Sequence, residues 1–342
     1  MRANGIAYDT GFVKNGTTSW AGFDAATVRR ELTIIRDDLH CTAVQLVGGD
    51  PERLEVAGRL AAELGLEVWF SPYPLDVGLG ELRALLLDCA ERAERIRRTG
   101  AEVVLVAGAE LSVMVRGFAD GDTLEHRLGW LLGDPADRPA RLAKASERLS
   151  DFFREAVPAI RGAFGGKVTY AAIQFERVDW DLFDFVTLEL IRSAAVADVF
   201  REGVRTLTQQ DKPVVITGFG TATWRGAGDV APRSMEIVEH DEHGRPLRLT
   251  EVVERDEPGQ ARYLTELLEI FAEEGVDSAF VYLFALHSHP HRPGGDPRDD
   301  LDLASLGVVK VLEDRTGTAY PGLPWEPKAA FHAVAEWYRG LT

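Results

Sequence analysis

Two glutamates, Glu110 and Glu176, each follow a short apolar run that reads as a buried strand. The carboxyl end of such a strand is where α/β enzymes place their chemistry. Two carboxylates in unlike surroundings can divide general-acid and general-base roles, because environment pushes their pKa values apart. Read blandly, each is a solvated or loop-capping charge. Asp9 closes the first apolar run and has two readings, a cap on the Thr10-Gly11 turn and a third pocket carboxylate.

Other strand ends supply binding groups rather than reactive ones. The candidates are Gln45, Asp50, Tyr73, Gln174, Trp180, Arg192, Thr217, Gly218, Trp224 and His287. Asp50 precedes Pro51, so an N-cap is its plainer role. Arg192 reads as an anion clamp or, more plainly, a structural ion pair. His287, His289 and His291 precede several Asp residues and invite a metal reading. The segment is rich in Pro and Gly and offers no matched Cys or Glu, so a polar loop is expected and no metal or cofactor is assigned.

These groups need elements to hold them. Apolar runs near residues 5–8, 42–47, 67–71, 102–107, 167–173, 185–190, 213–217 and 278–284 alternate with helical patterns over 24–39, 81–98, 140–164, 198–209, 259–274 and 327–339, and a shorter one before Gly65. Asp24 is the expected N-cap of the first helix. Residues 111–138, 221–256 and 287–306 read as long loops, the second with a β-hairpin over 236–249. Eight βα units without a second block of different pattern predict one TIM-type α/β barrel over 1–342, with these loops roofing its carboxyl face. A doubly wound sheet would need a glycine-rich loop after the first strand, and Asp9-Thr10-Gly11-Phe12 is not one.

Composition narrows the partners. A net charge of −17 argues against nucleic acid and anionic membranes. No run approaches a membrane span, no leader pattern opens the chain, and Cys41 and Cys89 form no framework. A cytoplasmic protein acting on a small molecule is expected, with self-association left open.

The strand ends together carry a resemblance. Tyr8-Asp9-Thr10-Gly11-Phe12, Gly48-Gly49-Asp50, Val68-Trp69-Phe70-Ser71-Pro72, Gly108-Ala109-Glu110-Leu111-Ser112 and Thr169-Tyr170-Ala171 are among its motifs, as are Glu176 with Val178-Asp179-Trp180, Leu303-Ala304-Ser305-Leu306-Gly307, and Trp325-Glu326-Pro327-Lys328. The chain resembles actinobacterial glycosidase-like TIM-barrel proteins often labelled abortive-infection proteins. The wider clan of retaining glycosidases implies an acid/base Glu after strand four, which Glu110 matches, and a nucleophile Glu after strand seven. There the pattern Thr-Glu-Phe-Gly is replaced by Thr217-Gly218-Phe219-Gly220. The resemblance also implies Arg where Gln45 stands, Pro-Trp where Gln174-Phe175 stands, and Tyr where Ile191 stands.

Gly218 cannot attack a sugar, so the leading expectation is a repurposed glycosidase-fold enzyme. It would perform cyclisation, elimination or a related proton transfer on a small organic substrate of specialised metabolism. Glu110 would be the acid/base, assisted by Glu176 or Asp9. A glycoside hydrolase with a non-standard mechanism and a non-catalytic small-molecule-binding barrel are the alternatives.

Overall fold

The computed structural model describes residues 1–14, 16–241 and 244–341. Its parallel strands are β1 (Ala3–Asp9), β2 (Ala43–Gly48), β3 (Glu67–Pro72), β4 (Val103–Ala109), β5 (Lys167–Ala171), β6 (Val186–Glu189), β7 (Val214–Phe219) and β8 (Ser278–Val281). In space they run β5-β4-β3-β2-β1-β8-β7-β6. The two ends meet at Ala172, whose N–H donates to the Thr187 carbonyl (3.0 Å) and whose carbonyl accepts the Glu189 N–H (2.8 Å). The expected (β/α)8 barrel is the observed one.

Side chains alternate across each strand, so one set fills the lumen and the other meets the helices. Ala43, Trp69, Val104, Val106, Phe185, Val215 and Phe280 pack inside. The Trp69 ring lies 4.9 Å from Phe280 and 5.4 Å from Phe185, which plugs the barrel. Outside, α1 (Ala25–Asp37), α2 (Pro51–Glu63), α3 (Leu79–Arg97), α4 (Leu111–Met114), α5 (Leu124–Leu132), α6 (Arg138–Ala163), α7 (Ala197–Thr208), α8 (Glu257–Glu273) and α9 (Ala329–Arg339) join the strands. Buried Val28, Leu32 and Ile35 are the apolar stripe of α1, and burying each such side chain contributes about 1.5–3 kcal/mol. Asp24 caps α1 by accepting the Ala26 and Thr27 N–H groups, and Asp50 caps α2 through Glu52 and Arg53.

Residues 111–138 are more ordered than their composition suggests. They form α4 and α5, because Thr123 caps a turn whose Leu128 and Leu131 pack on Ala145. By contrast, the segment between β5 and β6 has only a 3-10 turn, Trp180–Leu182, in place of a helix. The expected hairpin pairs Val238–His240 with Pro246–Leu249, and its turn residues Glu242 and His243 lie outside the described residues. No described helix is long and apolar enough to cross a membrane.

Candidate active site

Glu110 follows β4 on a turn that L-residues seldom adopt, with φ 49° and ψ 36°. Such backbone costs on the order of 1–3 kcal/mol and persists only where surroundings enforce it. Here its N–H donates to the Ala171 carbonyl, and its own carbonyl accepts the Val113 and Met114 N–H groups. The turn aims the carboxyl group into the mouth of the barrel. Burial, then the negative charges of Glu189 and Glu176, hold it well above the ordinary carboxylate range.

Glu189 ends β6. Outward-facing Val186 and Leu188 line a cavity on the outer wall, so Thr187 and Glu189 turn inward. A Cβ on Gly218, on the neighbouring strand β7, would lie 2.8 Å from the Glu189 carboxyl carbon. Gly218 is outside the left-handed region, so space and not φ is what a side chain there lacks. The Glu189 carboxylate therefore stands where a β7 side chain would begin. Burial first, then Glu176, raise its pKa to about 7.

Glu176 is buried and saturated with donors. Its Oε1 accepts the Ser112 N–H (3.0 Å), and its Oε2 accepts the Tyr170 hydroxyl (2.8 Å) and the Ile173 N–H (3.1 Å). The Tyr170 hydroxyl in turn accepts the Leu111 N–H at 2.8 Å. Burial raises the pKa of Glu176, and these bonds oppose the rise.

Asp9, at the end of β1, accepts the Gly11 N–H at 2.6 Å and the Ser19 hydroxyl at 3.0 Å. Desolvation lifts its pKa to about 7 despite these donors. Tyr73 stands near the carboxylates, its pKa raised well above the ordinary value by burial and then by Glu110 and Glu189. Its ring meets Phe12 edge-on at 5.2 Å. Tyr282, after β8, responds to burial and then to Glu189, Asp9 and Glu110. Below the carboxylates, Gln45 donates to the Ser71 hydroxyl (3.4 Å), and the Thr169 and Thr187 hydroxyls pair at 2.7 Å. Gln45 Oε1 and Thr217 Oγ1 are buried and have no protein partner among the described residues. This is a polar floor over an apolar lumen.

His287 stacks on Trp20, with centroids 4.1 Å apart and planes at 7°. Burial pushes its pKa to about 3, so the ring is neutral. His289 meets Ser288, and His291 meets Asp300 and Arg255. The three rings thus serve different partners, and no metal-ligand cluster occurs among the described residues.

Several expected binding residues have partners other than Glu110 and Glu189. Asp50 is spent on capping α2. Arg192 makes two bonds to Glu266 on α8 (2.7 and 2.9 Å) and lies over the Tyr263 ring. With Trp224, whose indole donates to the Ser234 carbonyl, it lines a cavity of about 400 Å³ beside α8. Gln174 and Trp180 line a cavity of about 450 Å³ between β6 and α7, which Glu176 lines as well. They are there because the missing helix after β5 leaves the outer wall open.

On the carboxyl face, Lys14, Asp76, Arg116, Thr123, Glu125 and His240 line a cavity of about 730 Å³. These residues follow β1, β3, β4 and β7; of the three loops expected to roof the site, those after β4 and β7 contribute and 287–306 does not, and neither Glu110 nor Glu189 lines this cavity. Glu189 is the residue that sequence reasoning missed. Its signal was the period-two pattern Val186-Thr187-Leu188-Glu189, which assigns Glu189 to the lumen side.

No family model matches the chain, and no curated protein matches it significantly. Solved structures do. A GH113 beta-1,4-mannanase is similar with TM-score 0.60 at 14% identity, covering 99% of this chain and 98% of its own. The GH113 beta-mannanase AaManA from Alicyclobacillus acidocaldarius has TM-score 0.60 at 15% identity, covering 99% and 97%. A β-glucuronidase from Ruminococcus gnavus has TM-score 0.55 at 15% identity, covering 99% of this chain and 49% of its own. At such identities the likeness is one of fold alone, a (β/α)8 barrel.

Proposed function

We propose that this chain is a glycoside hydrolase whose two working carboxylates are Glu110 and Glu189. The observation that carries this reading is the Glu189 carboxyl group beside Gly218. It answers the main objection to sugar hydrolysis, a glycine where the resemblance implies a nucleophile. A carboxylate is delivered to that place from the adjacent strand.

The roles follow from the surroundings. Glu110 has the higher proton affinity, so it is the acid that protonates the departing glycosidic oxygen as the C–O bond breaks. Glu189 is the member that ionises first. It either bonds to the anomeric carbon or takes a proton from the water that does so, two outcomes distinguished by the anomer released. Protons here belong to the pair, which holds one of them near neutral pH. Asp9 and Tyr73 flank the pair, and Gln45 and Thr217 offer hydrogen-bonding atoms below it.

The test is an aryl-glycoside panel run with the parent chain, Glu110→Gln and Glu189→Gln. Sugar release by the parent and its loss in both variants is the expected result.

A second reading is non-hydrolytic acid/base chemistry on a small organic substrate of specialised metabolism. It is favoured by the ring pair of Phe12 and Tyr73, of which Tyr73 stands near Glu110 and Glu189, since an aromatic surface offers few hydrogen bonds to sugar hydroxyls. It predicts no sugar release, with Glu110-dependent conversion of a compound that accumulates when the gene is deleted.

A further inference from the structure

We propose that Glu176 is the positioning residue of this pair: it pins the turn that carries Glu110 and holds a fixed negative charge facing Glu110 and Glu189. The inference rests on the carboxylate-pair reading above and gives Glu176 a role distinct from acid or base.

The geometry assigns that role. Residues 111 and 112 follow Glu110 directly, and both of their N–H groups are held from β5 and the loop after it. Ser112 donates to Glu176 itself, and Leu111 donates to the Tyr170 hydroxyl that donates to Glu176. These are the first N–H groups of α4, which have no partner within the helix. Held this way, the start of α4 fixes Glu110 in its left-handed conformation. The Ser112 and Ile173 N–H groups and the Tyr170 hydroxyl all donate to Glu176 oxygens, which matches an ionised carboxylate. A carboxylate that must accept three bonds to keep its shape is poorly suited to passing protons.

The charge has consequences because, among the described residues, no cation acts on Glu110 or Glu189. The titratable groups facing the pair are Glu176 after β5, Tyr73 after β3, Tyr170 on β5 and Tyr282 after β8, and Asp9 of β1 acts on Tyr282. None of these is a cation. The influences on Glu110 and Glu189 are burial and negative charge alone, with Glu176 acting on both. Removing that charge favours ionisation of each partner, so both must titrate at lower pH.

The experiment is a carbon-13 NMR titration of the full chain carrying carboxyl-labelled glutamate, with Glu110 and Glu189 assigned through their Gln variants. In Glu176→Gln both titrations are expected to move down by about one pH unit. In Tyr170→Phe the charge remains and the Leu111 bond is lost. There the titrations stay in place while kcat falls by about tenfold or more. Parent-like titrations in Glu176→Gln overturn the proposal. If Glu176→Gln does not fold, Tyr170→Phe decides: a parent-like kcat overturns it. The titration reads the carboxyl groups themselves, so its outcome stands even if no glycoside is hydrolysed and the proposed function fails.

Discussion

Glu189 on β6 and Gly218 on β7 share one space, since a Cβ on Gly218 would lie 2.8 Å from the Glu189 carboxyl carbon. Paired at the same level of the sheet, the two positions can hold one carboxylate between them but not a carboxylate and a second side chain. Gly218→Ala is therefore expected to displace Glu189, costing about 1–3 kcal/mol of stability by overpacking. In Glu189→Ala the same Gly218 substitution should cost much less. Urea denaturation of the two single variants and the double variant measures the coupling. Additive effects would show that the two sites do not compete.

The acid role of Glu110 makes a kinetic prediction. Glu110→Gln should lower kcat by about 10²–10⁴-fold. The loss should be largest for glycosides with poor leaving groups, because good ones need little protonation. A uniform loss across leaving groups would argue that Glu110 holds the substrate and does not supply a proton.

Asp9 separates from the pair by its hydrogen bonds. Both of its oxygens are occupied by the turn that follows β1, through Gly11 and Ser19. Asp9→Asn should lower kcat/KM by less than about tenfold, and mainly reduce thermal stability by about 1 kcal/mol. A loss matching that of Glu110→Gln would put Asp9 in the reaction.

The pH profile of activity follows from the same surroundings. Activity needs Glu189 ionised and Glu110 protonated. It should rise as pH passes about 7, where Glu189 loses its proton, and fall at higher pH as Glu110 loses its own. An acid limb near pH 4 in kcat/KM would contradict this ordering.

Stability should move the opposite way with pH. Glu31 is buried between the Tyr8 hydroxyl and the Trp325 indole, with its pKa raised to about 7, chiefly by desolvation. Its folded pKa exceeds its unfolded one, so its stabilising share is full below the unfolded value and is lost as pH rises through about 7. Asp9 behaves alike. Stability should therefore increase on acidification from about pH 8 to about 5, by up to roughly 3 kcal/mol from Glu31. Below that window, Glu55, Glu94 and Asp300, each held near 2 in the fold, lose their stabilising share as pH falls from the ordinary carboxylate range toward about 2. Thermal unfolding across this range, with Glu31→Gln as the control, measures the effect.

The barrel was legible because local signals agreed with one another. Apolar runs ended at Asp9, Glu110 and Gly218, and Asp24 and Asp50 announced their helices. Glu110 could be placed because it directly follows an apolar strand. Glu189 was harder, since it lies between Leu188 and Leu190 and looks like part of the run; only alternation reveals that it faces inward. Gln174 and Trp180 have a setting of tertiary origin, a cavity beside α7 that Glu176 also lines. A segment with no helix lets them turn to the outer wall, and no pattern within the segment announces it. Arg192 found Glu266 and Tyr263 on α8, more than 70 residues away, which is contact information that strand-end spacing does not carry.

Glu189 is the residue on which the proposed hydrolysis depends. The direct measurement is kcat/KM for an activated aryl glycoside hydrolysed by the parent chain and by Glu189→Gln, with folding checked by thermal unfolding. The prediction is a fall of about 10²-fold or more in a variant that folds like the parent. Unchanged hydrolysis in Glu189→Gln would contradict it.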